Sequence, residues 1–172
     1  PPFFEHKYKI AYSKLEYVKS LKNIDHPSVR ECIRFAGVKT GLEIHYDSDL
    51  PARSGLGSSS TFTVGMLNCL NALMMKYASK EKLAKDAIMV EQKMIGENVG
   101  SQDQVHAAYG GLNNIEFFQD GNFTVKPVIA KHGTIKALQD HCLLFYTGIS
   151  RFASEIASEQ IKKTNEKKTE LN

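Results

Sequence analysis

The chain of 172 residues contains no tryptophan, only three cysteines and five prolines, and little excess of either charge, with 22 basic against 19 acidic side chains. Each shortage excludes something. A formal charge of +3, scattered along the chain, offers no basic stripe for nucleic acid. The densest lysines, Lys162, Lys163, Lys167 and Lys168, are interleaved with Glu166 and Glu170, as on a solvated helix face. Cys32, Cys69 and Cys142 are odd in number, far apart and never in a C-x-x-C pair. That argues against a disulfide framework or zinc knuckle and predicts buried thiols of a reducing compartment. No apolar run approaches the ~18 residues of a membrane span, and no signal peptide is visible, so a cytoplasmic location without membrane partners is expected. The sequon Asn122-Phe123-Thr124 is a match frequent by chance.

What is present is ordinary globular material, 42% hydrophobic and 24% charged, enough for one medium domain or one domain and part of another. Phe3 to Tyr12 alternates as a strand, with Phe4, Tyr8, Ile10 and Tyr12 at its apolar positions. "DHPSVRECIRFAG" reads as a short helix, capped at Asp25 or His26, entered at Pro27 and ended by Gly37. "GLEIHYDSD" alternates again, a half-buried strand. From Ser58 the period becomes helical, and Phe62, Met66, Leu67, Leu70, Leu73 and Met74 predict a central helix buried nearly all round. A second long helix is expected from about Ser79 to Gly96, then a short one in "SQDQVHAAYGG" and a strand in "GLNNIEFF". "HCLLFYTG" reads as a buried strand and "SRFASEIASEQIKK" as an amphipathic helix. Strands and helices mix without strict alternation, which favours an α+β class. There are no internal repeats.

Between the strand at residues 42–46 and the helix at Ser58 lies "DLPARSGLGSSSTF". A strand, a glycine-rich turn and a helix beginning in serines is a recurrent way to hold phosphate. First-turn N–H groups lack intrahelical partners, and the helix dipole adds partial positive charge there. Gly55 and Gly57 carry no Cβ to hold phosphate oxygens off the backbone. Ser58, Ser59 and Ser60 add hydroxyls, one of which can ligate magnesium. A P-loop would need Lys-Ser/Thr after its last glycine, and a dinucleotide fingerprint a third glycine; neither is here. Taken alone, the turn also fits a tight, capped helix start.

The next helix adds an acid. At about 100° per residue, Leu83, Ala84, Ala87, Ile88, Met94 and Ile95 form one apolar stripe, and Glu91 falls near its middle. A buried carboxylate must be paired, hydrogen-bonded or metal-bound; the structural alternative is a salt bridge with a buried basic residue. Twelve positions on, Asp103 follows a loop bracketed by Gly96 and Gly100. Ser101 and Gln104 have capping-box spacing, so Asp103 also fits a first-turn acid that favours the dipole. Two acids and a phosphate-type loop within ~50 residues suit metal-assisted phosphoryl transfer, with one carboxylate oriented on the acceptor hydroxyl.

These residues resemble a known family. P-x-x-x-G-L-G-S-S-[AS], here Pro51 to Ser60, is similar to the phosphate-binding motif of the GHMP kinases. "SGLGSSSTF", "IGENVGSQDQVHAAYGGLNNIEF" and "LLFYTGISRFASEI" together resemble the D-glycero-D-manno-heptose 7-phosphate kinases within it, and less closely the fucokinases. The resemblance implies a GHMP-kinase N-terminal domain, a ribosomal-protein-like left-handed β-α-β fold, over residues 1–134. It implies the first strand and helix of a ferredoxin-like C-terminal domain over 135–172. It implies ATP and Mg²⁺ as cofactors, with Gly55, Leu56, Gly57, Ser58, Ser59 and Ser60 around the ATP phosphates. Ser59 and Glu91 are the implied metal ligands, and Asp103 the residue that orients or deprotonates the acceptor. Gln102, Thr147 and Arg151 are substrate candidates; Arg151 also fits a surface salt bridge. The implied reaction makes a heptose 1,7-bisphosphate for GDP-heptose and cell-surface polysaccharide synthesis. The alternatives are another small-molecule kinase of the family, fucokinase- or galactokinase-like, or a non-catalytic binding module of the same fold. The family's first and third motifs have no counterpart in the sequence, so a fragment is expected.

Overall fold

The structure, a computed structural model, describes residues 6–49, 55–145 and 163. Contacts divide the chain into two compact units that part between Ala108 and Tyr109. In the first, β1 (Tyr8–Ala11) pairs antiparallel with β2 (Leu15–Val18) and parallel with β3 (Leu42–His45), giving the order β2-β1-β3. Tyr8 pairs with Leu42 and Ile10 with Ile44, so strand alternation puts these apolar side chains on one face.

That face is covered by helices. α1 (Pro27–Ala36) starts at an N-cap His26, carries Pro27 at its first turn and stops at Gly37 in the left-handed region, φ 72°. α2 (Ser58–Leu73) and α3 (Lys80–Met89, with Ser79 accepting from Lys82 N) follow. Tyr8, Ile10, Val29, Cys32, Ile33, Val64, Leu67, Leu70, Ala87 and Val90 close the core, each large aliphatic contributing roughly 1.5–3 kcal/mol by leaving water. α2 is not buried all round, as its sequence suggests: Leu73 and Met74 are exposed. Likewise only Cys32 of the three cysteines is buried, while Cys69 and Cys142 are exposed.

α3 does not run on regularly to Gly96. At Val90–Ile95 the helix widens into a π turn, closed by Gly96 at φ 80°. α4 (Gln102–Tyr109) then begins. In the second unit, β4 (Asn113–Phe117) and β5 (Phe123–Pro127) form a hairpin with Phe117 opposite Phe123. Its loop turns on Gly121, φ 83°, with Asp120 accepting from Asn122 N. α5 (His132–Asp140) follows. The expected buried strand at 141–148 is not found in its described part: residues 141–145 form no strand and are exposed. An apolar run becomes a strand only where a neighbour takes up its backbone groups. The helix expected over residues 150–163 lies outside the described residues except for Lys163.

Candidate active site

The start of α2 is built by glycine. Gly57 is the N-cap residue in the left-handed region, φ 69°, and no side chain caps the helix there among the described residues. Gly55 is also left-handed, φ 75°. Among the described residues the first-turn amides therefore have no side-chain acceptor of the usual kind, and the positive end of the dipole is left for a ligand. Of the serines, Ser58 is half-buried, Ser59 exposed and Ser60 buried. Thr63 Oγ1 donates to the Ser59 carbonyl at 3.1 Å.

Two more elements meet this end. A Cβ placed on Gly57 would lie 3.4 Å from Asp103 Cγ and 3.6 Å from its Oδ2. The first turn of α4 thus lies directly against the glycine turn, with Asp103 exposed to incoming solute. Beneath it, Glu91 in the π turn is 0% exposed. Its Oε2 accepts from Ser60 Oγ at 2.9 Å and from Gln104 Nε2. A single wide turn of this type appears mostly as an insertion within an α-helix, frequently at functional sites.

The salt-bridge alternative for Glu91 does not hold, since among the described residues no ion pair reaches it. The capping box does not form either: Gln104 turns inward to Glu91, while Ser101 Oγ accepts from Gln92 Nε2 at 3.3 Å. Gln92 Nε2 also donates to the Val99 carbonyl at 3.0 Å, so it braces the loop between Glu91 and Asp103. The structure joins Glu91 to Ser60, whereas the resemblance pointed to the neighbouring Ser59. Gln102 is exposed at the first position of α4. Thr147 and Arg151 lie outside the described residues.

The electrostatics follow burial. Desolvation, reinforced by the charge of Glu91, pushes the Glu97 carboxyl above its usual range. Burial, with Glu91 and Glu31 nearby, pushes the Cys32 thiol up to about 12, so it is an inert core group. Among the described residues, Glu91 Oε1 is buried without a hydrogen-bond partner, as is Gln104 Oε1. A buried acceptor left unmade costs on the order of 1–3 kcal/mol, so a group absent from the protein chain suits the position. Hard oxygen donors fit magnesium. No group of three or more His, Cys, Asp or Glu able to hold a metal occurs among the described residues. Magnesium is usually held by one or two carboxylates plus substrate phosphates, so a single buried Glu91 beside serine hydroxyls fits it.

Next to the turn, β3, the segment to Asp49 and one face of α2 enclose a cavity of about 820 Å³. Leu56 and Ser58 belong to its wall, with Ile44, Phe62, Met66 and Leu70 making it largely apolar. Phe62 and Tyr46 meet edge to face at 4.5 Å.

Residues 17–111 match the family described as the GHMP kinases N terminal domain. The chain belongs to the GHMP kinase family. Its GHMP relatives include the D-glycero-alpha-D-manno-heptose 7-phosphate kinase of Campylobacter jejuni, 30% identical over 156 residues, which cover 91% of this chain and 44% of that protein. The L-fucokinase/L-fucose-1-P guanylyltransferase of Bacteroides fragilis is 28% identical, over 88% of this chain and 16% of that protein. A crystal structure of a D-glycero-D-manno-heptose 1-phosphate kinase from Bacteroides thetaiotaomicron superposes with a TM-score of 0.64 at 23% identity. It covers 91% of this chain and 56% of that one, and shows the same fold. The chain spans less than half the length of the curated relatives it matches. GHMP kinases are ATP-dependent phosphotransferases, and the mixture of strands and helices expected of an α+β class is present. No helix among the described residues is long and apolar enough to cross a membrane.

The site residues that sequence reasoning missed are Gln92 and Gln104. A signal existed for the second: Gln104 stands one helical turn from Ala108, on a face that also holds Val105. A polar residue there is as conspicuous as Glu91 in its own stripe.

Proposed function

We propose that this chain is the ATP-binding portion of a sugar kinase. It transfers the γ-phosphate of ATP to the anomeric hydroxyl of D-glycero-D-manno-heptose 7-phosphate, giving the 1,7-bisphosphate. The observation that carries the reading is the meeting of three elements. The uncapped start of α2 has Asp103 against Gly57 on its open side and Glu91 under Ser60 on its buried side. The sugar itself is supported by the 30% identity to the Campylobacter jejuni kinase along 91% of this chain. The division proposed from the sequence is a nucleotide-binding domain over 1–134 and the beginning of a second domain over 135–172.

In this reading the backbone N–H groups of Gly57 to Ser60 bind the ATP phosphates, and the apolar cavity beside Leu56 and Ser58 takes the base. Glu91 and a first-turn serine, Ser59 by resemblance, would hold magnesium. The ion supplies charge neutralisation on the phosphates as the γ-phosphoryl group leaves. Asp103, on the open side, accepts the proton of the attacking sugar hydroxyl and aims that oxygen. The existing phosphate of the sugar is a dianion suited to an arginine fork, a role proposed for Arg151 with Thr147 and Gln102 beside the acceptor.

The test is a panel of phosphorylated and free sugars offered to the full natural chain with Mg-ATP, with ADP release as readout. Release with heptose 7-phosphate, well above that with fucose or galactose, is expected. Release with fucose alone would move the substrate to the branch of the Bacteroides fragilis relative. No release with any sugar would overturn the sugar-kinase reading.

A further inference from the structure

The pair formed by Glu91 and Gln104 is a poor solution to a packing problem. Both side chains are fully buried, yet among the described residues both hydrogen bonds received by the carboxylate fall on Oε2, and Glu91 Oε1 and Gln104 Oε1 are left without donors. Leucine or methionine at 104 would fill the same space without an orphaned acceptor. The amide therefore needs another reason. A carboxylate can only accept, so the amide must present Nε2 to it and keep its own oxygen turned away. That fixes which carboxylate oxygen is held by protein and which is left over. It also ties the first turn of α4 to the π turn. Asp103 is the adjacent residue, about 100° round the helix, so the tether that buries Gln104 directs Asp103 outward against Gly57.

We propose that Gln104 is a positioning residue: by donating to Glu91 Oε2 it leaves Oε1 as the oxygen available to a divalent cation and sets the height of Asp103 over the glycine turn. The inference rests on the kinase reading above, and its test separates the two. ATP binding to the full natural chain is measured by calorimetry across a magnesium titration, with the melting temperature recorded for each protein. In wild type, magnesium is expected to tighten ATP binding. In Gln104→Met, which keeps the volume and removes the donor, the magnesium concentration for half-maximal tightening should rise about tenfold or more. ATP affinity without magnesium should stay within about twofold, because the loop amides are untouched. Gln104→His, which retains an N–H donor, should hold the native magnesium dependence.

A Gln104→Met protein that melts earlier but keeps the native magnesium dependence overturns the proposal, since the amide would then be a core contact only. So does a tenfold loss in Gln104→His, or failure of both variants to fold. If ATP binding to wild type ignores magnesium, the kinase reading fails and this inference falls with it.

Discussion

Two helices of the first unit, α1 and α2, start in opposite ways. The start of α1 is closed by its own chain. His26 Nδ1 accepts from Val29 N at 3.4 Å, and Pro27 has no N–H to satisfy. Just before it, the Glu16 carboxylate from β2 accepts from Asp25 N at 2.7 Å and His26 N at 3.2 Å. The start of α2 has glycine at the same position, no side-chain cap among the described residues, and two carboxylates arranged around it. One helix end has protein acceptors for the amides of Asp25, His26 and Val29 and serves the core. The other is left unsaturated, and an unsaturated end with carboxylates at hand is a place for a phosphate and its cation.

Breaking the open end should have the largest effect. Asp103→Ala in the full natural chain is expected to lower the rate of phosphoryl transfer by about 10²–10⁴ while Mg-ATP still binds by calorimetry. Retention of more than a few per cent of the rate would remove Asp103 as the acceptor-facing acid. Next comes a paired glycine test. Gly37 and Gly57 are both left-handed, so alanine at either should cost about 1 kcal/mol of stability. Only at Gly57 would the new Cβ meet Asp103, at 3.4 Å; at Gly37 nothing lies within 4 Å. Nucleotide affinity and turnover should fall for Gly57→Ala and stay native for Gly37→Ala. Equal behaviour of the two would show that the glycines serve the turn alone.

The closed end should respond in stability, not in binding. Glu16→Ala strands two backbone N–H groups and is expected to lower stability by roughly 1–3 kcal/mol in chemical denaturation, with ATP affinity unchanged. The smallest effect concerns pH. His26 is held below its ordinary value of 6.5, chiefly by burial, and only its neutral ring can accept from Val29 N. The unfolded chain then binds the proton more readily than the folded one, so stability falls as pH drops through about 6.5 and below. His26→Asn keeps an acceptor without titrating. Its melting temperature should decline less than that of wild type between about pH 7.5 and 5.5. An identical decline would place the acid sensitivity elsewhere.

The closed end was also the legible one. Pro27 and Gly37 marked both limits of α1, because proline and glycine act through the backbone alone and need no knowledge of neighbours. β2 was missed for a physical reason. Its alternation is inverted, with Leu15 and Tyr17 56% and 46% exposed and Glu16 only 8% exposed. An apolar-in pattern cannot reveal a strand whose inward residue is an acid holding a helix start. β5 hid behind a sequon reading, although the Asp120-Gly121 turn was a hairpin signal. At the site, helical spacing correctly placed Glu91 inside, since α3 is regular up to Met89. It could not identify Ser60 and Gln104 as the partners, because both arrive from other elements. The capping-box spacing of Ser101 and Gln104 even pointed away from the contact.

The π turn at Val90–Ile95 also makes chain length, and not only residue type, part of the design. Each turn of an α-helix takes 3.6 residues, and a π turn holds about one more than that. Side chains beyond it come out of phase with the stripe that precedes it. Because that turn accommodates its extra residue without turning the chain further, removing one residue between Val90 and Ile95 would let the helix close regularly and leave the Gly96–Ser101 loop and α4 near their places. The same deletion within α3, which is regular up to Met89, has no such turn to take it up and would swing everything downstream by about 100°.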